Sequence, residues 1–279
     1  MSTIANIFYS MPNILLFIIM CVIGVVFTVI GIHLIRIIIP MELRLKDNVA
    51  IGYISANTAV LFAVLAGFII SYMLNNFNRA QEITRTEVNQ LNDICRDASR
   101  LDKSMARSIQ EGVMDYLKTV VTKEWPAMSA GKKVDPYGEK VLINLRIKLI
   151  SYKAKNINQS LALVDLHKGL EELYKARGER LSMDKSVLGT DIWIMLVIVT
   201  LFTIIINFLY GMEHYLHVIL APFVSTIVIS LLFMIIIMDR PFRGGFSIKP
   251  DDFQRALASM QLEEDILVEN KAKLINMQL

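Results

Sequence analysis

Two hydrophobic patterns alternate along this chain. Four stretches are apolar almost throughout: Asn13 to Ile39, Val49 to Leu74, Ile192 to Tyr210 and Leu216 to Met238. Each is long enough as a helix to cross a ~30 Å hydrocarbon core. Between the second and third stretches, apolar residues recur every three or four positions among charges. They run from Phe77 through Val88, Leu91, Ile109 and Tyr116 to Val120, then from Leu142 through Leu149, Leu163 and Leu170 to Leu181. That period predicts amphipathic helices. A last such stretch carries Phe253, Leu257, Met260 and Leu267. The fold class that follows is all-α: an integral membrane protein with four transmembrane helices, a helical hairpin between the second and third, and a C-terminal amphipathic helix. The segments are 1–74, 75–186, 187–238 and 239–279.

Breakers refine the boundaries. Pro40 ends the first span, and the charged turn from Met41 to Asn48 sends the second back antiparallel. The first amphipathic helix is expected to run from Asn75 to Trp125, ~70 Å if unbroken, with a break near Leu101 to Ser104 as the alternative. Pro126 stops it, because proline disfavours helix at the residue before it. Asp135 and Pro136 read as cap and first residue of a single second helix. Gly211 to His217 is a brief turn. Met238 to Phe246 forms an elbow, where Pro241 stops the fourth span and Gly244 and Gly245 permit unusual backbone angles.

Composition narrows the function. The 279 residues are 54% hydrophobic with a net charge of +3, and the mean hydropathy is +0.48. A nucleic-acid partner is not expected; the lipid bilayer is. Cys21 and Cys95 fit no disulfide or zinc spacing, and Glu213, His214 and His217 read as an interfacial turn more readily than as metal ligands. No phosphate loop, nucleophile elbow or zincin motif is present, so neither an enzyme nor a cofactor is expected. The N-terminal run lacks the basic start and cleavage site of a signal peptide and reads as a retained helix.

The second span differs from the others. Gly52, Ala56, Ala59, Ala63 and Gly67 form a small-residue stripe that allows close helix approach. Asn57 and Thr58 are polar within the apolar run, and such residues either bond a neighbouring helix or line a wet path. They are the pore-lining candidates, with Phe62 as an apolar constriction that gates by dewetting. Packing of all three inside the subunit is the alternative.

Basic residues near the span ends set the orientation. Arg79, Arg85, Arg177, Arg180, Lys185, Arg240, Arg243 and Lys249 fall on the hairpin side, against Arg44, Lys46 and nearby Arg36 on the other. The hairpin and both termini are therefore expected to be cytoplasmic. A contact from Glu87 to Arg177 and Arg180 is expected at the hairpin base, with Glu124 near the far tip unless the first helix folds back. The elbow is expected to clasp the last span to this layer, with Phe242 packed beneath it.

Five places carry a resemblance: Glu87; Tyr116 with Glu124-Trp125-Pro126; Arg177; Arg180-Leu181; and Asp239-Arg240-Pro241-Phe242 with Gly244. In order and spacing they resemble the bestrophin-like family of bacterial membrane proteins. The resemblance implies a four-span, multi-pass homo-oligomer of the inner membrane with a cytoplasmic helical layer, and the charges and topology themselves make Glu87, Glu124, Trp125, Arg177, Arg180, Asp239, Arg240, Pro241 and Phe242 the expected structural clasp. The resemblance also implies a channel for small inorganic ions, anions in particular, lined by the second span. The alternative from a different class is a non-conducting oligomeric scaffold whose cytoplasmic helices bind a partner.

Overall fold

The computed structural model describes residue 9 and residues 11–276. The helices are α1 (Asn13–Ile38), α2 (Met41–Lys46), α3 (Asn48–Ala98), α4 (Lys103–Thr119), α5 (Trp125–Ser129), α6 (Tyr137–Ser151), α7 (Ile157–Ser182), α8 (Thr190–Ile205), α9 (His214–Met238) and α10 (Asp251–Asn276). A π-helical turn, Val120–Glu124, joins α4 to α5, and a 3-10 turn, Ile206–Leu209, extends α8. Among the described residues there is no strand.

Four helical stretches are long and apolar enough to cross a membrane: Asn13–Ile38, the first part of Asn48–Ala98, Thr190–Leu209 and His214–Met238. The chain is an all-α membrane protein. It divides into two compact units, one of Met1–Asn78 with Lys185–Ser247 and one of Arg79–Asp184 with Ile248–Leu279. The elbow thus belongs with the spans and α10 with the amphipathic helices, rather than forming one segment as the sequence suggested.

In the membrane unit, Ile32, Phe62, Ala66, Ile69, Leu196, Ile204, Phe208, Val228 and Ile235 form a buried core. Polar staples cross it. The Thr28 and Ser225 hydroxyls lie 2.6 Å apart between α1 and α9. Ser55 of α3 donates to Asn207 Oδ1 at 3.3 Å, and Asn207 Nδ2 donates to the Thr203 carbonyl at 2.6 Å. Hydrogen bonds of this kind join helices that have no hydrophobic drive to associate in lipid.

The amphipathic unit departs from the expected hairpin in three ways. First, Pro126 does not stop the helix. The π-turn ahead of it widens the backbone, Trp125 N–H reaches the Val120 carbonyl, and the chain stays helical to Ser129. A proline has no N–H to give and crowds the turn before it, so it fits best where the helix is starting again. Second, Asp135 makes no cap bond, and Pro136 precedes helix α6 instead of starting it. Third, the second amphipathic helix is two helices. Tyr152 is extended, and Asn156 caps α7 by accepting from Gln159 N–H at 2.9 Å. The gap is held by Asp102, which accepts from the Tyr152 hydroxyl at 3.0 Å and from Gln159 Nε2 at 3.2 Å.

In α10, Phe253 is buried and Leu257 and Met260 are half-buried. The Leu267 side chain and the C-terminus itself lie outside the described residues.

Candidate functional site

Helix α3 presents three different faces in the membrane unit. Phe62 is only 2% exposed and packs in the core of its own chain, so it is not an axis-facing constriction. Asn57 is exposed, and Thr58 is half-buried with its hydroxyl donating to the Ile54 carbonyl at 2.9 Å. Ala56, Ala59, Ala63 and Gly67 are exposed, and Gly67 has no neighbouring atom within 4 Å of where a Cβ would stand. Gly52, at the end of the stripe, lies near the Tyr210 hydroxyl. Beside Thr58, an apolar groove of about 520 Å³ runs between α3 and α8, lined in part by Leu61, Leu65, Val199 and Phe202.

The amphipathic unit encloses a buried charge network. Arg180 is fully buried. Its Nε donates to Glu87 Oε2 at 2.7 Å and its Nη2 to Glu87 Oε1 at 3.0 Å. Nη2 also donates to Glu124 Oε2 at 2.7 Å, and Nη1 to Met128 Sδ at 3.1 Å. Arg177, one turn earlier on α7, donates from Nε and Nη2 to Glu124 Oε1 at 3.2 and 2.8 Å. The Tyr116 hydroxyl donates to Glu87 Oε1 at 2.6 Å. The Trp125 and Phe253 rings lie 5.6 and 5.7 Å from the Arg180 guanidinium carbon. Two carboxylates therefore meet two guanidiniums, with every charge paired, which is the condition for tolerating ions away from water.

The expected Glu87–Arg180 pair is present. The expected Glu87–Arg177 pair is replaced by Glu124–Arg177, because the chain turns at Ser99–Asp102 and α4 brings Glu124 back. Burial acts against the charged Arg180. Glu87, through space and through its hydrogen bonds, with Tyr116 and Glu124 adding, nevertheless holds its pKa well above the usual arginine value. Burial pushes the Tyr116 phenol well above its usual pKa, and the Glu87 charge adds to the rise.

The elbow is a second knot of bonds, within the membrane unit. Asp239 accepts from the Ser186 hydroxyl at 2.7 Å and from Leu188 N–H at 3.0 Å. Its carbonyl accepts from Val187 N–H at 3.0 Å. One buried carboxylate thus ties the end of the fourth span to the approach to the third. Phe242 is buried, Arg240 lies 5.9 Å from the Tyr9 ring, and Gly244 has φ +78°, a conformation that needs glycine. The nine clasp residues thus divide between the two units. Among the described residues no group of three His, Cys, Asp or Glu side chains is placed to hold a metal ion.

A family model for the bestrophin-like domain matches residues 22–253. The chain belongs to the bestrophin-like family. Solved structures agree in fold. A bacterial bestrophin homologue from Klebsiella pneumoniae superposes with a TM-score of 0.64 at 14% identity, covering 87% of this chain and 97% of its own. A point variant of a bestrophin homologue from the same organism gives 0.68 at 11% identity, covering 88% and 99%. No functionally curated protein matches.

In this bestrophin-like protein, sequence reasoning assigns no network contact to Tyr116, Met128 or Gly138. Met128 supplies a sulfur acceptor to Arg180. Gly138 supplies only an absence of side chain, since a Cβ there would overlap Glu124 Oε1. Tyr116 gives a pH test. Its folded pKa is raised, so its contribution is intact below the ordinary phenol value of about 10 and is lost as pH rises beyond it. Wild type is expected to lose stability above pH ~10 more steeply than Tyr116→Phe, by about 1.4 kcal/mol per pH unit. Denaturation at a series of alkaline pH values measures this, and equal slopes would refute it.

Proposed function

We propose that this protein is a homo-oligomeric bestrophin-type ion channel of the bacterial inner membrane. Its termini and amphipathic unit are cytoplasmic, and its pore is lined by the second span. Small inorganic ions pass, anions foremost. The observation that carries the reading is the split of α3. Phe62 fills the core of its own chain, while Asn57 and the Ala56–Gly67 stripe remain outside it. A polar side chain left on the outside of an apolar span faces lipid at a cost or faces a shared wet axis. Several copies meeting along the small stripe supply such an axis. Asn57 and Thr58 remain its lining candidates, the stripe is the contact between copies, and the buried networks are the clasp that keeps the protomer rigid.

One feature favours the scaffold reading. Ile143, Ile147 and Ile150 of α6 and Ile157, Leu161 and Val164 of α7 are exposed at helical spacing, as on a surface that takes a protein partner. Reconstitution separates the two. Chloride and potassium flux are measured in liposomes loaded with the purified oligomer. Flux above empty liposomes, changed in size or selectivity by Asn57→Leu, supports the channel. An intact oligomer with no flux of either ion refutes it and leaves the scaffold.

A further inference from the structure

At the end of the membrane unit away from the elbow, side chains from the two short turns converge on the end of the third span. His217 Nε2 lies 2.9 Å from the Asn207 carbonyl. Arg44 Nη1 donates to the Tyr210 carbonyl at 3.3 Å, and Arg36 Nη2 to the Met212 carbonyl at 2.9 Å. The Asn207 and Tyr210 carbonyls belong to the end of the third span and the Met212 carbonyl to the turn just beyond it, a negative end that accounts for the two guanidiniums being gathered there. It does not account for how they are left. Arg44 is 3% exposed and His217 1%. Arg36 Nε, Arg44 Nε and His217 Nδ1 are all buried with no partner.

Arg36 is close enough to Arg44 for the two charges to repel, and both act on the His217 ring. Neither guanidinium pairs with a carboxylate among the described residues, and Glu42, Asp47 and Glu213 of the same turns are exposed. An edge-to-face pair of exposed rings, His33 and His214 with centroids 5.0 Å apart, lies beside Arg36. The cluster therefore has an accessible rim and a buried, uncompensated positive floor.

We infer that Arg36 and Arg44, with His217 beside them, form a binding site for a phosphate-type oxyanion. A single water accepts two N–H bonds but leaves two like charges buried and unneutralised, which is costly. An oxyanion accepts from both guanidinium forks and supplies the missing charge. At the end of a span, a phospholipid phosphodiester and a free phosphate ion present the same oxygens. The site is independent of whether the protein conducts.

The test uses the full chain purified in detergent and has two arms. Inorganic phosphate is titrated calorimetrically at constant ionic strength. Phosphatidylglycerol binding is followed by native mass spectrometry, with diacylglycerol as the phosphate-free control. At least one phosphate probe is expected to bind. Arg36→Gln should weaken it about tenfold or more, the worth of one charge-assisted bond, and the Arg36→Gln/Arg44→Gln pair should abolish it. Lys46→Gln, an exposed cation in the same turn, should change nothing. Binding of phosphate alone identifies a free ion, and binding of phosphatidylglycerol but not diacylglycerol identifies a lipid headgroup. Arg36 is half-buried and its variant keeps Arg44, so the test survives a folding failure of Arg44→Gln. Wild type that binds neither phosphate probe, or Arg36→Gln that binds as tightly as wild type, overturns the site.

Discussion

Arg180→Met is expected to destabilise the amphipathic unit by about 3–5 kcal/mol, the cost of breaking a buried ion pair from one side. Methionine keeps much of the volume, so the loss reports charge and hydrogen bonding more than a cavity. It leaves Glu87 with the Tyr116 hydroxyl as its one remaining partner in the network and removes the bridge by which Glu87 and Glu124 share one cation. For a chain of this size the melting temperature should fall by roughly 6–20 °C. Trp125, 5.6 Å from the guanidinium, reports the transition by fluorescence. Adding Glu87→Gln to Arg180→Met should recover part of the loss, because the uncompensated carboxylate is what costs most. A single variant that melts like wild type, or a double variant that adds the two losses without coupling, would show that the pair contributes little.

Much of this architecture was legible because membrane spans and amphipathic helices declare themselves by period. The four apolar runs needed no tertiary information, since lipid requires every spanning backbone group to be bonded within its own helix. The sites were legible only as far as local spacing reaches. Glu87 and Arg180 were matched from their nearness to the ends of a hairpin. Glu124 falls at the far tip of an unbroken helix and returns only if that helix folds back, which it does at Ser99–Asp102, beside the Leu101–Ser104 break that the sequence offers as an alternative. The π-turn at Val120–Glu124, which carries the helix on through Trp125-Pro126, is silent in sequence.

Phe62 parts from the other two pore candidates for a reason present in the sequence. At about 100° per residue, Asn57 and Phe62 are about 140° apart on α3, so they cannot face one axis together. Thr58 is about 40° from Phe62 and shares its inward side. The stripe from Gly52 to Gly67 centres about 100° from Phe62 on the other flank. A helical wheel would have separated the trio into a core residue, a margin residue and an outward residue. The break between α6 and α7 was also signalled. Asn156 followed three residues later by Gln159 is the pattern of a helix start, and the leucine period lapses there, with no leucine between Leu149 and Leu161.

The largest effect from the smallest change is expected at Gly138. Its backbone angles are ordinary, so alanine meets no conformational penalty there. The obstacle is space: the added methyl would overlap Glu124 Oε1 and stand 3.0 Å from its carboxyl carbon and 3.2 Å from Arg177 Nε. Glu124 cannot retreat without leaving Arg177 and Arg180, and α6 cannot retreat without opening the core around Leu142 and Leu145. Gly138→Ala is therefore expected to cost about 3 kcal/mol or more, as the disruption of a buried charge network does. Gly178 on α7 provides the control. A Cβ there meets nothing within 4 Å, so Gly178→Ala in a helix interior should be neutral or stabilise by about 0.5–1 kcal/mol. In thermal melting beside wild type, Gly138→Ala should fall clearly below it while Gly178→Ala stays level or rises. Pairing Gly138→Ala with Glu124→Ala removes the colliding carboxylate and gives a melting temperature close to that of Glu124→Ala alone, if the overlap is the cause. A loss at Gly138 that persists in full without the Glu124 side chain would mean that the helix itself, and not the network, requires glycine.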